Sequence, residues 1–322
     1  MLHLRMISPA ETTDKVMTVL SADPGVTHVT LARGVAVEPA GDLIQADVAR
    51  EAANDVLADL TSLGIKHTGG ITLGPVETVL SDAGERAIEE APGDPTDAVV
   101  WEELLAQTHE ESSLTLTFVA FLTIACLLAA VGVATDSPVT IVGAMVVGPE
   151  FGPLAAFSVG LWRRDFQLAR RSAIALVVAF PVAMIVTLLA TLLWKQFGWI
   201  TVTDVETVQN VDFIYEVGPF SLVVALLAGA AGMLAVVTAK SAALVGVFIS
   251  VTTVPAAGFA VIAATLGEWD IAFKSAGQLA VNLAGIVVAG LLVLALRPRA
   301  GSEGGPIARF KKWMWIRSLP SK

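Results

Sequence analysis

Gly148-Pro149-Glu150-Phe151-Gly152-Pro153 interrupts a membrane-length apolar run, residues 139–161, with two prolines, two glycines and a carboxylate. Each proline removes a backbone donor, so several backbone groups are released at bilayer depth. Lipid offers them no partner, and a broken helix is tolerated only where protein or a water-filled cavity covers it. The carboxylate adds a second signal, because intramembrane ionisable groups mark substrate or ion pathways. Gly148, Pro149, Glu150, Gly152 and Pro153 are therefore candidate site residues. Three roles are open to Glu150: ligand for a cation or proton, a group facing a water-filled vestibule, or a structural partner for the freed amides.

A second breaker, Thr252-Thr253-Val254-Pro255-Ala256-Ala257-Gly258, falls inside the apolar run 243–266. Thr252, Thr253 and Pro255 join the candidate pathway, as do Ser137 before the first break and Asn282 in the last apolar run. Asn282 also suits plain interhelical hydrogen bonding. Gly229 and Gly232, with Ala225, Ala228 and Ala235, form a small-residue face suited to close helix contact. Other chemistries lack their residues. His3, His28, His67 and His109 have no ligand spacing and no thiolate partner, so metal-site chemistry is not expected, and the sequence names no cofactor either way. Cys126 lies in an apolar run and reads as a small buried hydrophobe. No nucleophile motif, nucleotide fingerprint or catalytic acid pair is present, and an enzyme is not expected.

The elements that must hold these residues follow from composition. The chain of 322 residues is 55% hydrophobic, with a mean hydropathy of +0.72. Six runs reach the roughly 20 apolar residues a span needs: about 114–133, 139–161, 172–194, 219–238, 243–266 and 276–296. Residues 1–112 carry 6 Lys and Arg against 20 Asp and Glu, whereas 113–322 carry 14 against 10. That split predicts an acidic soluble domain followed by a membrane domain with a basic tail. Phosphate would be repelled by the soluble part, so nucleic acid is not an expected partner. The lipid bilayer and a small solute or ion are.

The loop Trp162-Arg163-Arg164-Asp165 with Arg170 and Arg171 is basic and is expected on the cytoplasmic side. Counting spans from it puts both termini in the cytoplasm, with Lys240 in a cytoplasmic turn and the acidic loops 200–218 and Glu268-Trp269-Asp270 outside. The N-terminus has no basic segment followed by an apolar stretch, so no cleavable signal is expected. A cytoplasmic-membrane, multi-pass protein is the resulting expectation. The tail Arg309-Phe310-Lys311-Lys312-Trp313-Met314-Trp315-Ile316-Arg317 suits anionic lipid headgroups.

Spans one to three and four to six share the order Ser137…Val142-Gly143…Pro153 and Ser241…Val245-Gly246…Pro255, with the breaker in each middle span. A repeated three-span unit inverts its topology, the arrangement of secondary transporters with paired broken helices. Apolar segments of Ala, Val, Gly and Leu also align without common origin, and both readings stand.

Ahead of the spans, strands are predicted at Leu2–Ile7, Val26–Val37, Leu43–Val48 and Ile71–Leu80, with helices at Glu11–Leu20 and Glu51–Leu63. The order βαββαβ over residues 1–81 is the ferredoxin-like arrangement, which names no function. Gly69-Gly70-Ile71-Thr72-Leu73-Gly74-Pro75 reads as a tight turn or, alternatively, a ligand loop. Residues 82–112 form a helical linker (Ala83–Ala91 and Asp97–Glu111), 113–298 the transmembrane domain and 299–322 the tail.

Asp136-Ser137-Pro138, Gly143-Ala144-Met145 and Pro149-Glu150-Phe151-Gly152-Pro153 resemble the signature of the domain-of-unknown-function family 389, uncharacterised hydrophobic membrane proteins of prokaryotes. The family pattern is approximately Asn-Ser-Pro, Ile-Gly-Ala-Met and Ser-Pro-Leu-Met-Gly-Pro, and the resemblance extends over about 113–298. Asp136 stands where Asn is usual, and Gly148 and Glu150 replace a Ser and an apolar residue. The resemblance implies a polytopic membrane domain behind a soluble one and confers no activity. The functional expectation is a transport or channel-like protein for an ion or small solute, its site at the broken second and fifth spans and its cytoplasmic domain regulatory. The alternative is a membrane-anchored sensor whose cytoplasmic domain binds a metabolite or nucleotide. Small-residue packing and an exposed sheet edge favour a homo-oligomer.

Overall fold

A computed structural model describes residues 1–76, 78–91, 98–200, 218–238, 247 and 252–296. The expected turn at Lys240, the first half of the expected fifth span, residues 201–217 of the expected outer loop and the tail lie outside the described residues. The chain divides after Glu103 into an N-terminal unit and a helical unit, Leu104–Leu296.

In the N-terminal unit the order is β1 (Leu2–Ser8), α1 (Ala10–Ala22), β2 (Val26–Val37), β3 (Ala40–Val48), α2 (Ala53–Ser62), α3 (Ile65–Thr68), β4 (Gly70–Pro75) and α4 (Asp82–Glu90). The strands form one sheet in the order β2-β3-β1-β4 with antiparallel neighbours throughout. This is the split βαβ layout. Alternation decides its faces: Leu2, Leu4, Met6, Ile44, Ala46 and Val48 are buried with Val16, Leu20, Val56 and Leu60 of the helices. Gly69 backs onto the Ile7 carbonyl, where any Cβ would collide, so this glycine serves the entry into β4. The last strand stops at Pro75, short of the expected Leu80, because β1, its only described partner, starts at Leu2 opposite that proline.

On the other face β3 presents Asp47 between His3 and His28. Each histidine Nδ1 lies 2.8 Å from a carboxylate oxygen, and His28 Nε2 lies 2.8 Å from Ser81 Oγ. His28 takes a positive φ of 51° within a register shift of β2, and such bulges re-aim a side chain. Ser81 Oγ also accepts from the Gly84 N–H as the N-cap of α4. Residues 98–100 are not helical: Asn54 and Arg50 bond the carbonyls of Val99 and Ala98. The second linker helix, α5, thus starts at Trp101 instead of Asp97 and ends at Glu111. Ala91 and Val100 belong to the sheet core.

The helical unit contains α6 (Leu116–Ala134), α7 (Pro138–Val147), α8 (Phe151–Arg163), α9 (Phe166–Gln196), α10 (Pro219–Val237), α11 (Thr253–Leu266) and α12 (Trp269–Leu296). Among the described residues α6, α9, α10 and α12 are long and apolar enough to cross a membrane, and α7 with α8 makes a fifth span if their 47° bend is one crossing. At 1.5 Å per residue the 14 residues of α11 cover about 21 Å, less than a bilayer core. The structure is that of a membrane-embedded protein with four or five candidate spans among the described residues, which leave out the first half of the fifth of the six expected.

The third span starts at Phe166, earlier than expected, because the Asp165 carboxylate accepts from the N–H groups of Gln167 and Leu168 at 3.1 and 3.0 Å. Arg170 and Arg171 therefore sit on its helix and not in a loop. The sixth likewise begins at Trp269. Every residue of α11 except Ala264 is buried, as befits a helix apolar all round. It packs against α6, α7, α9 and α12.

Candidate functional site

Proline chemistry builds the break. Pro149 drives the residue before it out of the helical region, and Gly148 is extended at φ −64° and ψ 124°. Helix resumes from Glu150 as N-cap of α8, with Pro153 at the third helical position, where a missing N–H removes one donor that would lack a helical partner. The start of α11 repeats this pattern, with Thr252 as N-cap and Pro255 at the third position. The first helical bonds correspond too: Leu154 N–H to Glu150 O at 3.3 Å, and Ala256 N–H to Thr252 O at 3.1 Å.

These two helix starts meet. The Thr253 hydroxyl donates a hydrogen bond to Glu150 Oε1, and both residues are buried. Glu150 Oε2 turns toward Gly148, where an added Cβ would strike it, and has no hydrogen-bond partner among the described residues. Beside this contact, Asn282 Nδ2 donates to Thr252 Oγ1 at 2.8 Å, and Gln278 Nε2 donates to Asn282 Oδ1 at 3.2 Å. Gln278 Oε1 is a second buried oxygen without a partner. Two hydrogen-bonded groups, Glu150–Thr253 and Thr252–Asn282–Gln278, thus lie beside each other at the start of α11. Ser275, one turn before Gln278, bonds the Ala256 carbonyl at 2.8 Å.

Packing holds the junction closed. The Phe151 ring fills the space where a Cβ on Gly232 of α10 would sit. Gly152 admits the Glu111 side chain, whose Oε2 lies 2.8 Å from the position of a Cβ there. Burial pushes the Glu111 carboxyl above its ordinary range, against the opposing hydrogen bond from Gln107. At the far end of α11, Lys195 Nζ donates to the Thr265 carbonyl at 2.8 Å, and the hydroxyls of Thr191 and Thr265 lie 2.8 Å apart. An acid at the N-terminus and a lysine at the C-terminus match the dipole of this buried helix.

Of the residues singled out by sequence, Glu150 is paired with Thr253 and, beside them, Thr252 with Asn282, while Gly148, Pro149, Gly152, Pro153 and Pro255 shape the backbone there. Ser137 belongs to neither pair. Its Oγ accepts the Thr140 N–H at 3.4 Å as N-cap of α7, the length of a 10-residue helix (about 15 Å) from the break. Gln278 and Ser275 were not anticipated. The signal was the spacing of Ser275, Gln278 and Asn282 at i, i+3 and i+7, one polar stripe on an apolar helix. Among the described residues no group of three His, Cys, Asp or Glu is placed to hold a metal ion.

Residues 145–288 match the family described as "Domain of unknown function (DUF389)". The matched segment takes in the break, α11 and the polar stripe of α12. A curated relative, an uncharacterised protein of Methanocaldococcus jannaschii, is 22% identical over 205 residues, 62% of this chain and 62% of the relative. The matched segment thus spans less than two thirds of that protein. No solved structure matches. Over residues 145–288, within its helical unit, the chain is therefore similar to the DUF389 family.

Proposed function

We propose that this chain is a membrane transport or channel-like protein for an ion or small solute, with its site where α8 and α11 begin. The observation that carries the reading is the Glu150–Thr253 hydrogen bond, which joins two helix starts inside an apolar bundle. Broken helices with a buried carboxylate are costly in lipid and are used where something polar must bind or pass. The matching starts Glu150-Phe151-Gly152-Pro153 and Thr252-Thr253-Val254-Pro255 favour an inverted three-span repeat, in which half-helix ends face the substrate near the midplane. On this reading there are six spans, both termini are cytoplasmic, the sheet domain regulates, and the protein works as a homo-oligomer without enzymatic activity. The Asp47–His28–Ser81 relay is then a structural staple, since Ser81 Oγ serves as the cap of α4.

The test is reconstitution of the full chain into lipid vesicles loaded with sodium, potassium, chloride and a panel of small neutral solutes. Protein-dependent release of any of these, altered in rate by Pro149→Ala at unchanged melting temperature, supports the proposal. Vesicles as tight as protein-free ones overturn it.

A further inference from the structure

The two oxygens of the Glu150 carboxylate have different surroundings. Oε1 is held by the Thr253 hydroxyl. Oε2 lies against Gly148 at the C-terminal end of α7 and is buried without a hydrogen-bond partner among the described residues. The whole residue is only 5% exposed. The helix end it faces is an end of acceptors. The Gly148 N–H bonds the Ala144 carbonyl at 3.1 Å, and the carbonyls of Met145, Val146 and Val147 have no donor inside α7. In a continuous helix Met145 would bond the N–H of residue 149, but Pro149 has none. The aligned peptide dipoles add about half a negative charge there. Glu111 sets a second carboxylate against Gly152, and Gln278 keeps a buried, unpartnered Oε1 in the neighbouring hydrogen-bonded group. Among the described residues no Lys, Arg or His forms an ion pair with Glu150.

Resting on the transport reading above, we infer that the break between α7 and α8 is a binding site for an alkali cation, sodium or potassium, held between Glu150 Oε2 and the C-terminal carbonyls of α7. Unwound backbone and half-helix C-terminal ends are the groups that hold such ions where membrane helices are broken. A buried carboxylate also costs least when a positive charge compensates it. Charge selects the valence. Divalent sites gather several carboxylates, whereas no group of three His, Cys, Asp or Glu is placed to hold a metal among the described residues. One carboxylate oxygen turned to neutral carbonyls matches one positive charge. Thr253 acts as a positioning residue, because its hydroxyl fixes Oε1 and leaves Oε2 to the ion. Gly148 makes room for that oxygen, which an added Cβ would strike.

Sodium chloride and potassium chloride are the probes, against N-methylglucamine chloride, on the full chain. In detergent at least one alkali cation is expected to raise the melting temperature of the unaltered chain by a few degrees, and Glu150→Gln and Gly148→Ala are expected to lose that increment. In vesicles Glu150→Gln should lower release of the same cation about tenfold or more, as loss of a ligand requires. The melting measurement on the unaltered chain needs neither transport nor a variant that folds. Equal melting in sodium, potassium and N-methylglucamine would overturn the site, and so would an increment that Glu150→Gln retains. Cation-dependent melting without release of any ion or solute would support the site and overturn the transport reading. Release confined to chloride or neutral solutes would overturn the cation assignment and leave the transport reading in place.

Discussion

Glu150 and Thr253, 103 residues apart in sequence, share a hydrogen bond at the meeting point of two helix starts. Both residues are buried. Loss of the hydroxyl leaves a buried carboxylate without its donor, so Thr253→Val is expected to destabilise the protein by about 1–3 kcal/mol. Thr253→Ser keeps the donor and should melt within a few degrees of the unaltered protein. Thermal unfolding of both in the same detergent decides the point; equal melting of the two variants would mean the bond contributes nothing.

Phe151 against Gly232 is a packing relationship that can be tested as a pair. Gly232→Ala pushes a methyl into the ring, and overpacking of this kind costs about 1–3 kcal/mol. Phe151→Leu should recover part of that cost in the double variant, and a double-mutant cycle on melting data measures the coupling. Strict additivity would place the ring elsewhere.

Asp47 gives the sheet domain a pH dependence with a definite sign. Burial acts to raise its pKa, but the hydrogen bonds from His3 and His28 outweigh it and hold the carboxyl below the ordinary aspartate value. A carboxylate depressed in the folded state contributes stability above its unfolded pKa, and that contribution disappears as pH falls through the folded value. Protection of the β3 amides against hydrogen exchange, taken relative to the intrinsic exchange rate at each pH, should therefore fall in acid, below about pH 4, and Asp47→Asn should flatten that dependence.

Glu111 has the reverse sign. Its carboxyl is raised by burial, so its charged form is disfavoured in the folded protein and its contribution is lost as pH rises through the folded value. Glu111→Gln is expected to raise the melting temperature at neutral pH. The difference should vanish in acid, below about pH 4, where the native side chain is itself neutral in both states. A variant that melts lower at neutral pH would contradict the assignment.

The sheet's alternation and the proline-marked break were legible because both are local: Leu2, Leu4 and Met6 announce a buried face, and Pro149 forces Gly148 out of the helix wherever the segment lies. The partnership of Glu150 with Thr253 is tertiary and left no trace beyond two polar residues beside two prolines. Gln278 was hidden by its polarity in a run scored for apolar content. Ser137 looked functional from its place in the signature, yet its hydroxyl does capping work, which any helix start with Ser-Pro invites. Arg170 and Arg171 looked like loop residues because charge suggested a boundary, whereas Asp165 carries the helix start back to Phe166. Ser81, likewise, is read as a cap, and Ser81→Ala should cost about 1 kcal/mol by loosening α4. Melting of that variant checks it.

The measurement that bears most directly on the central claim is ion and solute release from vesicles carrying Glu150→Gln, with Thr252→Ser as a control that preserves the Asn282 contact. If the junction of α8 and α11 is the site, Glu150→Gln changes the rate about tenfold at unchanged melting temperature, while Thr252→Ser behaves like the unaltered chain. Equal rates for all three proteins would contradict the account, because whatever crossed the membrane would then do so without passing Glu150.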